Sequence, residues 1–212
     1  MGAGVIGRLR PLVWLLLALP ALAMLYQLAS GETFAFKLLH PTGELALRLM
    51  VVAMMVGPLI AIFGRNRFLL GWLALRRNIG VAAFIYGLLH LVFYVMDMAA
   101  IGPILDEFWL PGIWTGWLSF ALMLAAAAIS ADWAVKALGP WWQRIQYAVY
   151  GAVLIGALHW YWLDNTAGPA LVHLAPLLIL WTLRAVVKRT RRARKTAKGK
   201  AKGKAKEKES LA

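Results

Sequence analysis

Six long apolar stretches dominate this 212-residue sequence and restrict what it can fold into. They run over residues 11–29, 44–63, 79–100, 114–131, 143–163 and 169–187. Each has about 20 residues, enough at a rise of about 1.5 Å per residue to cross a hydrocarbon core of about 30 Å. Backbone amides in lipid must pair within their own segment, so such stretches become helices. The sequence therefore predicts an all-α membrane protein with a six-transmembrane-helix bundle over residues 11–187.

The first apolar stretch also has the position of a cleaved signal peptide. It is long for the apolar region of such a peptide, and the residues that follow it, 26–30, form a poor small-x-small cleavage site. We therefore predict an uncleaved first span that follows a short N-terminus, residues 1–10.

The composition supports a membrane protein and limits its metal chemistry. Hydrophobic residues make up 62% of the chain, whereas soluble domains contain roughly 45–50%. The chain has no Cys, which excludes disulfides, thiolate zinc sites and Cys-ligated iron–sulfur clusters. His, Met and carboxylate side chains are the metal ligands that remain.

The net charge of +14 belongs mostly to the C-terminal tail. Thirteen of the 23 Lys and Arg residues lie from Arg184 onward, accompanied by only two acidic residues. No groove-reading or stacking motif accompanies them, so nucleic-acid binding is not indicated. Residues 188–212 alternate Lys with Ala and Gly, which predicts a disordered basic tail that associates with anionic membrane lipid.

The remaining charges predict the orientation of the bundle. Ten basic residues precede Arg184, and with six spans eight of them fall on one side of the membrane. Only Lys37 and Arg48 lie on or near the other side, where most of the acidic residues gather. By the positive-inside rule, both termini are expected in the cytoplasm.

Two histidines lie deep inside predicted spans, where imidazole nitrogens cannot bond to water, whereas His173 lies close to the outer surface. His90 is in the third span and His159 in the fifth. Counted from the predicted span starts, they lie roughly 16 Å and 24 Å from the inner surface at about 1.5 Å per residue. This offset of about 8 Å is within the reach of boundary errors and helix tilt.

The residues alone leave two interpretations of these histidines open. Each imidazole is either hydrogen-bonded to a carbonyl or a Tyr hydroxyl on a neighbouring helix, or both are axial ligands of one haem iron. A metal transporter is less well supported, because the acidic residues cluster at the span ends.

Four other residues are weaker candidates. His40 is expected to be interfacial, and His173 is retained as a replacement ligand or cofactor contact. Arg76 and Arg77 are expected to orient the third span, although a cationic pair at a membrane face also suits a flavin phosphate or a quinone.

Several segments resemble the MsrQ (YedZ) family, within the ferric-reductase-like transmembrane group. They are Arg76-Arg77-Asn78-Ile79-Gly80 with Leu89-His90-Leu91, His40-Pro41-Thr42-Gly43, Leu138-Gly139-Pro140-Trp141-Trp142, and His159-Trp160-Tyr161-Trp162. The resemblance covers about residues 40–187 and implies one haem b with His90 and His159 as axial ligands. Where the family commonly has a Leu-His pair, this chain has Ile145-Gln146. A second haem is therefore not carried over, and Gln146 is a candidate contact for a quinone or flavin.

The resemblance also implies an electron-transfer role in the bacterial inner membrane. Electrons from the quinone pool or a flavin reductase would reach a periplasmic molybdopterin methionine sulfoxide reductase, MsrP, which carries the catalytic site and repairs oxidised proteins. FMN is a further cofactor associated with the family. The alternatives are a stand-alone ferric or quinone reductase and a haem-free membrane scaffold or transporter.

Overall fold

The computed structural model describes residues 3–210, with side chains described for residues 9–194, 196 and 197. Every regular element in this range is a helix. The helices are α1 (Ala3–Ala29), α2 (Ala35–Phe63), α3 (Arg67–Met98), α4 (Ile101–Glu107), α5 (Pro111–Ala128), α6 (Asp132–Leu138), α7 (Pro140–Gln146), α8 (Ala148–Asp164) and α9 (Ala167–Ser210). The predicted all-α class is confirmed.

Among the described residues, five helices are long and apolar enough to cross a membrane, namely α1, α2, α3, α5 and α9. The predicted fifth span, residues 143–163, is divided at Tyr147 between α7 and the 17-residue α8. At about 1.5 Å per residue, α8 is roughly 25 Å long, somewhat less than the hydrocarbon core. The structure therefore supports a multi-pass membrane protein, and the count of six spans stays a prediction.

Several predicted loops are shorter or more helical than expected. The connection predicted over residues 64–78 is reduced to Gly64–Asn66, because α3 already begins at Arg67. The Asn66 side chain accepts a hydrogen bond from the Leu69 N–H at 2.8 Å and caps α3. Between the first and second predicted spans, α2 likewise begins already at Ala35. The connections after the third and fourth predicted spans contain the short helices α4 and α6.

The basic tail differs from the predicted disorder. Helix α9 continues from the membrane-length segment as far as Ser210. Ala, Lys, Arg and Glu have high intrinsic helix propensities, so an apolar helix that precedes them can continue into this composition. Arg191 also ties the helix to α2, because its guanidinium donates to the Ala61 carbonyl at 2.8 Å and to the Ile62 carbonyl at 3.4 Å. These carbonyls belong to the last turn of α2, where cations are favourable.

Helix α2 lies at the centre of the bundle. It packs extensively against α3 and α9 and also contacts α8, while α5 packs mainly against α8. The core between them is built from long and small apolar side chains in alternation, for example Leu47, Met50, Ala83, Ala152 and Leu177. Small residues allow the helices to approach closely. Close packing is important in a membrane because the hydrophobic effect does not drive helices together in lipid.

Tyr86 attaches the peripheral helix α1 to α3. Its side chain is 2% exposed. The hydroxyl donates to the Leu17 carbonyl at 2.7 Å and accepts from the Ala21 N–H at 3.1 Å. The hydroxyl of Tyr86 thus lies between the Leu17 carbonyl and the Ala21 N–H, which are four residues apart in α1. Ala21 directly follows Pro20, which is inside the same helix.

Tyr86→Phe is expected to loosen the attachment of α1. The two hydrogen bonds are lost together, and a net cost of about 1 kcal/mol corresponds to a fall in Tm of roughly 2–4 °C in a chain of this size. Thermal unfolding in detergent measures the change. Tyr26→Phe, at an exposed position on α1, is the matched control, and equal Tm values for the two variants would contradict the assignment.

Candidate functional site

The first side chain of the candidate site, His90, is held by the backbone of α2. Its Nδ1 lies 2.9 Å from the Leu39 carbonyl oxygen. A carbonyl only accepts hydrogen bonds, so Nδ1 carries the proton and Nε2 keeps its lone pair. This is the tautomer in which an imidazole can bind a metal through Nε2.

The second side chain, His159, is held in the same way by the start of α5. Its Nδ1 lies 2.6 Å from the Gly112 carbonyl oxygen. Again the carbonyl accepts, so the Nε2 lone pair is free. Among the described residues, no hydrogen bond engages Nε2 of either histidine.

The two imidazole rings face one another across the bundle. Their centroids are 5.9 Å apart and their planes are nearly perpendicular, at 89°. A metal–nitrogen bond of about 2 Å on each side would place the centroids of two opposed imidazoles roughly 6 Å apart. The observed separation therefore suits two nitrogen ligands of a single metal atom.

Glycines provide the space for both rings. A Cβ on Gly43 would lie 3.1 Å from His90 Nδ1, and a Cβ on Gly116 would lie 2.7 Å from His159 Cε1. The second contact is too short for any residue other than glycine unless the ring moves. Gly112 and Gly116 lie one helical turn apart on α5, and this small-xxx-small spacing was the sequence signal available for them.

A cavity of about 320 Å³ surrounds the pair, which we call the outer cavity. Aliphatic and aromatic side chains form most of its lining, including Leu47, Leu91, Ile113, Trp117 and Phe120. The volume is at the lower end of the range for cofactor pockets. Apolar walls with two neighbouring imidazoles are an arrangement that suits a flat, largely hydrophobic metal cofactor.

The mouth of the outer cavity carries a small polar group. Glu44 on α2 forms an ion pair with Arg48, and its Oε1 lies 3.2 Å from His173 Nε2. The other nitrogen of His173, Nδ1, faces the Pro169 carbonyl at 2.7 Å, so both of its nitrogens are engaged. The His40 ring packs edge-on against Trp160, at a centroid distance of 5.4 Å. Neither of these histidines joins the His90–His159 pair.

Comparison with known proteins identifies the family. Proteins named protein-methionine-sulfoxide reductase heme-binding subunit MsrQ resemble this chain in Bordetella pertussis (32% identity over 76% of this chain and 79% of the relative) and in Rhizobium meliloti (31% over 74% and 72%). In Yersinia enterocolitica, a protein of the same name is 30% identical over 84% of this chain and 88% of its own length. The chain belongs to the MsrQ family. No family model matches it.

This MsrQ-family chain has a second cavity, of about 420 Å³, which we call the inner cavity. Its polar lining residues are Arg76, Arg77, Ser130, Gln143 and Gln146. The cavity thus brings together both arginines and the glutamine that the sequence singled out. The Gln146 side chain donates to the Ala126 carbonyl at 3.1 Å, which leaves its amide oxygen available to a ligand.

Arg77 is also tied to the adjoining short helix α6. Its Nη1 lies 2.5 Å from Asp132 Oδ1. The hydrogen bond and the positive charge of Arg77 lower the pKa of the Asp132 carboxyl below its ordinary value. The carboxylate is therefore favoured at neutral pH, and the ion pair is lost as the pH falls through the lowered pKa. Both side chains are largely exposed, so this pair orients Arg77 at the cavity rather than stabilising the fold.

Proposed function

We propose that this chain is a haem b-binding electron-transfer subunit. It passes electrons across the bacterial inner membrane to a periplasmic MsrP-type molybdopterin methionine sulfoxide reductase. That reductase repairs oxidised proteins. His90 and His159 are the axial ligands, and the catalytic site lies on the partner. The single observation that carries the proposal is the proximity of two imidazoles on separate helices in one apolar cavity, each with its Nδ1 held by a backbone carbonyl.

The ligand set favours a metal held in a ring over a bare ion. Within the described residues, no three His, Cys, Asp or Glu side chains come together. Two imidazoles leave most positions around a metal to other donors, which a porphyrin supplies in its own plane. The apolar lining of the outer cavity would flank such a ring. The names of the relatives also describe a heme-binding subunit.

The side chains of this chain would perform three tasks at that site. His90 and His159 would hold the iron, while the Leu39 and Gly112 carbonyls fix the tautomer and orientation of each imidazole. Leu47, Phe120 and their neighbours exclude water. Haem b, when bound, supplies a one-electron iron couple.

The inner cavity is the proposed site of electron entry. Arg77 and Gln146 would contact the polar head of a quinone, or FMN delivered by or bound with a flavin reductase. Met50 and Met123 line both cavities, so the two sites share a wall of single side chains. Such proximity suits electron transfer between a ligand in the inner cavity and iron in the outer one.

The topology that this function needs is six spans with both termini in the cytoplasm. Two features support it. The basic residues of the chain gather at one end of the helices. The C-terminal ends of α3 and α8 and the N-terminal end of α2 lie together at the mouth of the outer cavity, which would then open to the periplasm.

Proteoliposomes test the proposal directly. The purified, haem-loaded chain is inserted into liposomes. A reduced quinol or a flavin reductase is supplied on the inner side, and the molybdopterin reductase with methionine sulfoxide is supplied on the outer side. We expect sulfoxide reduction that depends on the chain and is lost in His159→Ala. Transfer to ferric chelates but not to the reductase would instead support the stand-alone reductase, and a purified chain that cannot be loaded with haem would support the haem-free scaffold.

A further inference from the structure

Tyr94 carries a buried hydroxyl for which the protein provides no partner. The residue lies four positions after His90 on α3, one turn nearer the outer end and on the same face of the helix. Its side chain lines the outer cavity, and its ring packs edge-on against Trp117 at 6.5 Å. Among the described residues, the hydroxyl oxygen makes no hydrogen bond although it is buried. A hydroxyl left this way costs free energy, so such an atom indicates a missing ligand.

Three other polar side chains around the outer cavity already have partners. The Ser119 hydroxyl donates to the Ala152 carbonyl at 2.9 Å. Asp164 accepts from the Trp160 indole at 2.6 Å, and Glu44 is paired with Arg48 and His173. Tyr94 therefore offers an uncommitted donor to a bound molecule.

We propose that the Tyr94 hydroxyl donates a hydrogen bond to a carboxylate on the rim of the ring held between His90 and His159, and thereby fixes the rotation of that ring in the outer cavity. A porphyrin of the b type carries two carboxylates, and burying either in the apolar interior is costly. The carboxylates therefore face the cavity mouth, which is the side of His90 on which Tyr94 lies.

This inference rests on the proposed function and makes Tyr94 a positioning residue. It predicts that removal of the Tyr94 hydroxyl weakens binding of the ring only when the carboxylates of the ring are not esterified. The test is a titration of the detergent-solubilised apoprotein with haem b and with its dimethyl ester, in which both carboxylates are blocked. Wild type, Tyr94→Phe and the control Tyr161→Phe, at an exposed position, are compared by the Soret absorbance.

We expect Tyr94→Phe to bind haem b about tenfold more weakly than wild type, as loss of a hydrogen bond to a charged group implies. Binding of the dimethyl ester is expected to be the same in both, and Tyr161→Phe is expected to match wild type with both porphyrins. An equal loss with both porphyrins, or no loss with haem b, would overturn the assignment. Failure of the wild type to bind either porphyrin would reject the proposed function and the inference together.

Discussion

His90→Ala and His159→Ala are each expected to abolish the low-spin haem signal of the purified protein. Each change removes one of the two imidazoles that lie 5.9 Å apart, centroid to centroid, in the outer cavity. Loss of an outer partner of a ligand typically costs 10–100-fold in metal affinity, so loss of the ligand itself is expected to cost at least about a hundredfold. The measurement is the haem content and the reduced-minus-oxidised spectrum of each variant.

His40→Ala is the control for these two changes, because its side chain is 60% exposed and joins no contact with the pair. It is expected to keep the full signal. Circular dichroism establishes that the variants remain helical, and added imidazole is expected to restore part of the signal in His159→Ala by occupying the space left by the ring. Full haem retention in either His90→Ala or His159→Ala would refute the ligand assignment.

Gly116→Ala is expected to damage the site nearly as much, although it adds a single methyl group. The new Cβ would lie 2.7 Å from Cε1 and 2.8 Å from Nδ1 of His159. The ring must move, and its 2.6 Å hydrogen bond to the Gly112 carbonyl is then lost. We expect a fall in haem affinity of about 10–100-fold, the range found when the partner that orients a ligand is removed.

The glycines of the chain supply a graded comparison. Gly43→Ala brings a Cβ to 3.1 Å from His90 Nδ1, so a smaller loss is expected. Gly57→Ala on α2 meets nothing within 4 Å, and Ala favours the helix over Gly by about 1 kcal/mol. Gly57→Ala is therefore expected to bind haem normally. An order of haem affinities other than Gly57→Ala above Gly43→Ala above Gly116→Ala would contradict the packing around the two rings.

The sequence predicted the helical class because lipid leaves the backbone few alternatives. It predicted helix ends poorly. Residues 68–75 are apolar, but the arginines on both sides of them led us to predict a connection over residues 64–78, whereas α3 begins at Arg67 behind the Asn66 cap. The division of the predicted fifth span at Tyr147 was likewise not predicted, since it depends on how neighbouring helices pack.

The two histidines were predicted as candidates because imidazoles within a span need partners. Their predicted offset of about 8 Å depended on the assumed span starts. Counted instead from the outer ends of α3 and α8, the histidines lie eight and five residues in, which differs by only about 4.5 Å at 1.5 Å per residue. The helices do not begin at a common level, so depth counted from the inner side misplaced them.

The groups that orient the histidines were not predicted. The Leu39 and Gly112 carbonyls belong to other helices, and no pattern in the chain indicates which backbone atom a distant side chain meets. Among the described residues, the Tyr94 hydroxyl is buried without a hydrogen-bond partner, and this too depends on the surrounding side chains and could not be predicted from the sequence. These contacts are tertiary. The carbonyl hydrogen bonds of the first interpretation are present at both histidines, and because they engage only Nδ1, axial ligation through Nε2 stays a proposal.

The most direct test of the account is the electron paramagnetic resonance spectrum of the purified, reconstituted chain, together with its iron and haem content. We predict one haem b per chain, with ferric iron in the low-spin state that two imidazole ligands impose. Iron in the high-spin state, or a chain that takes up no haem from an excess, would contradict the claim that His90 and His159 bind one iron between them.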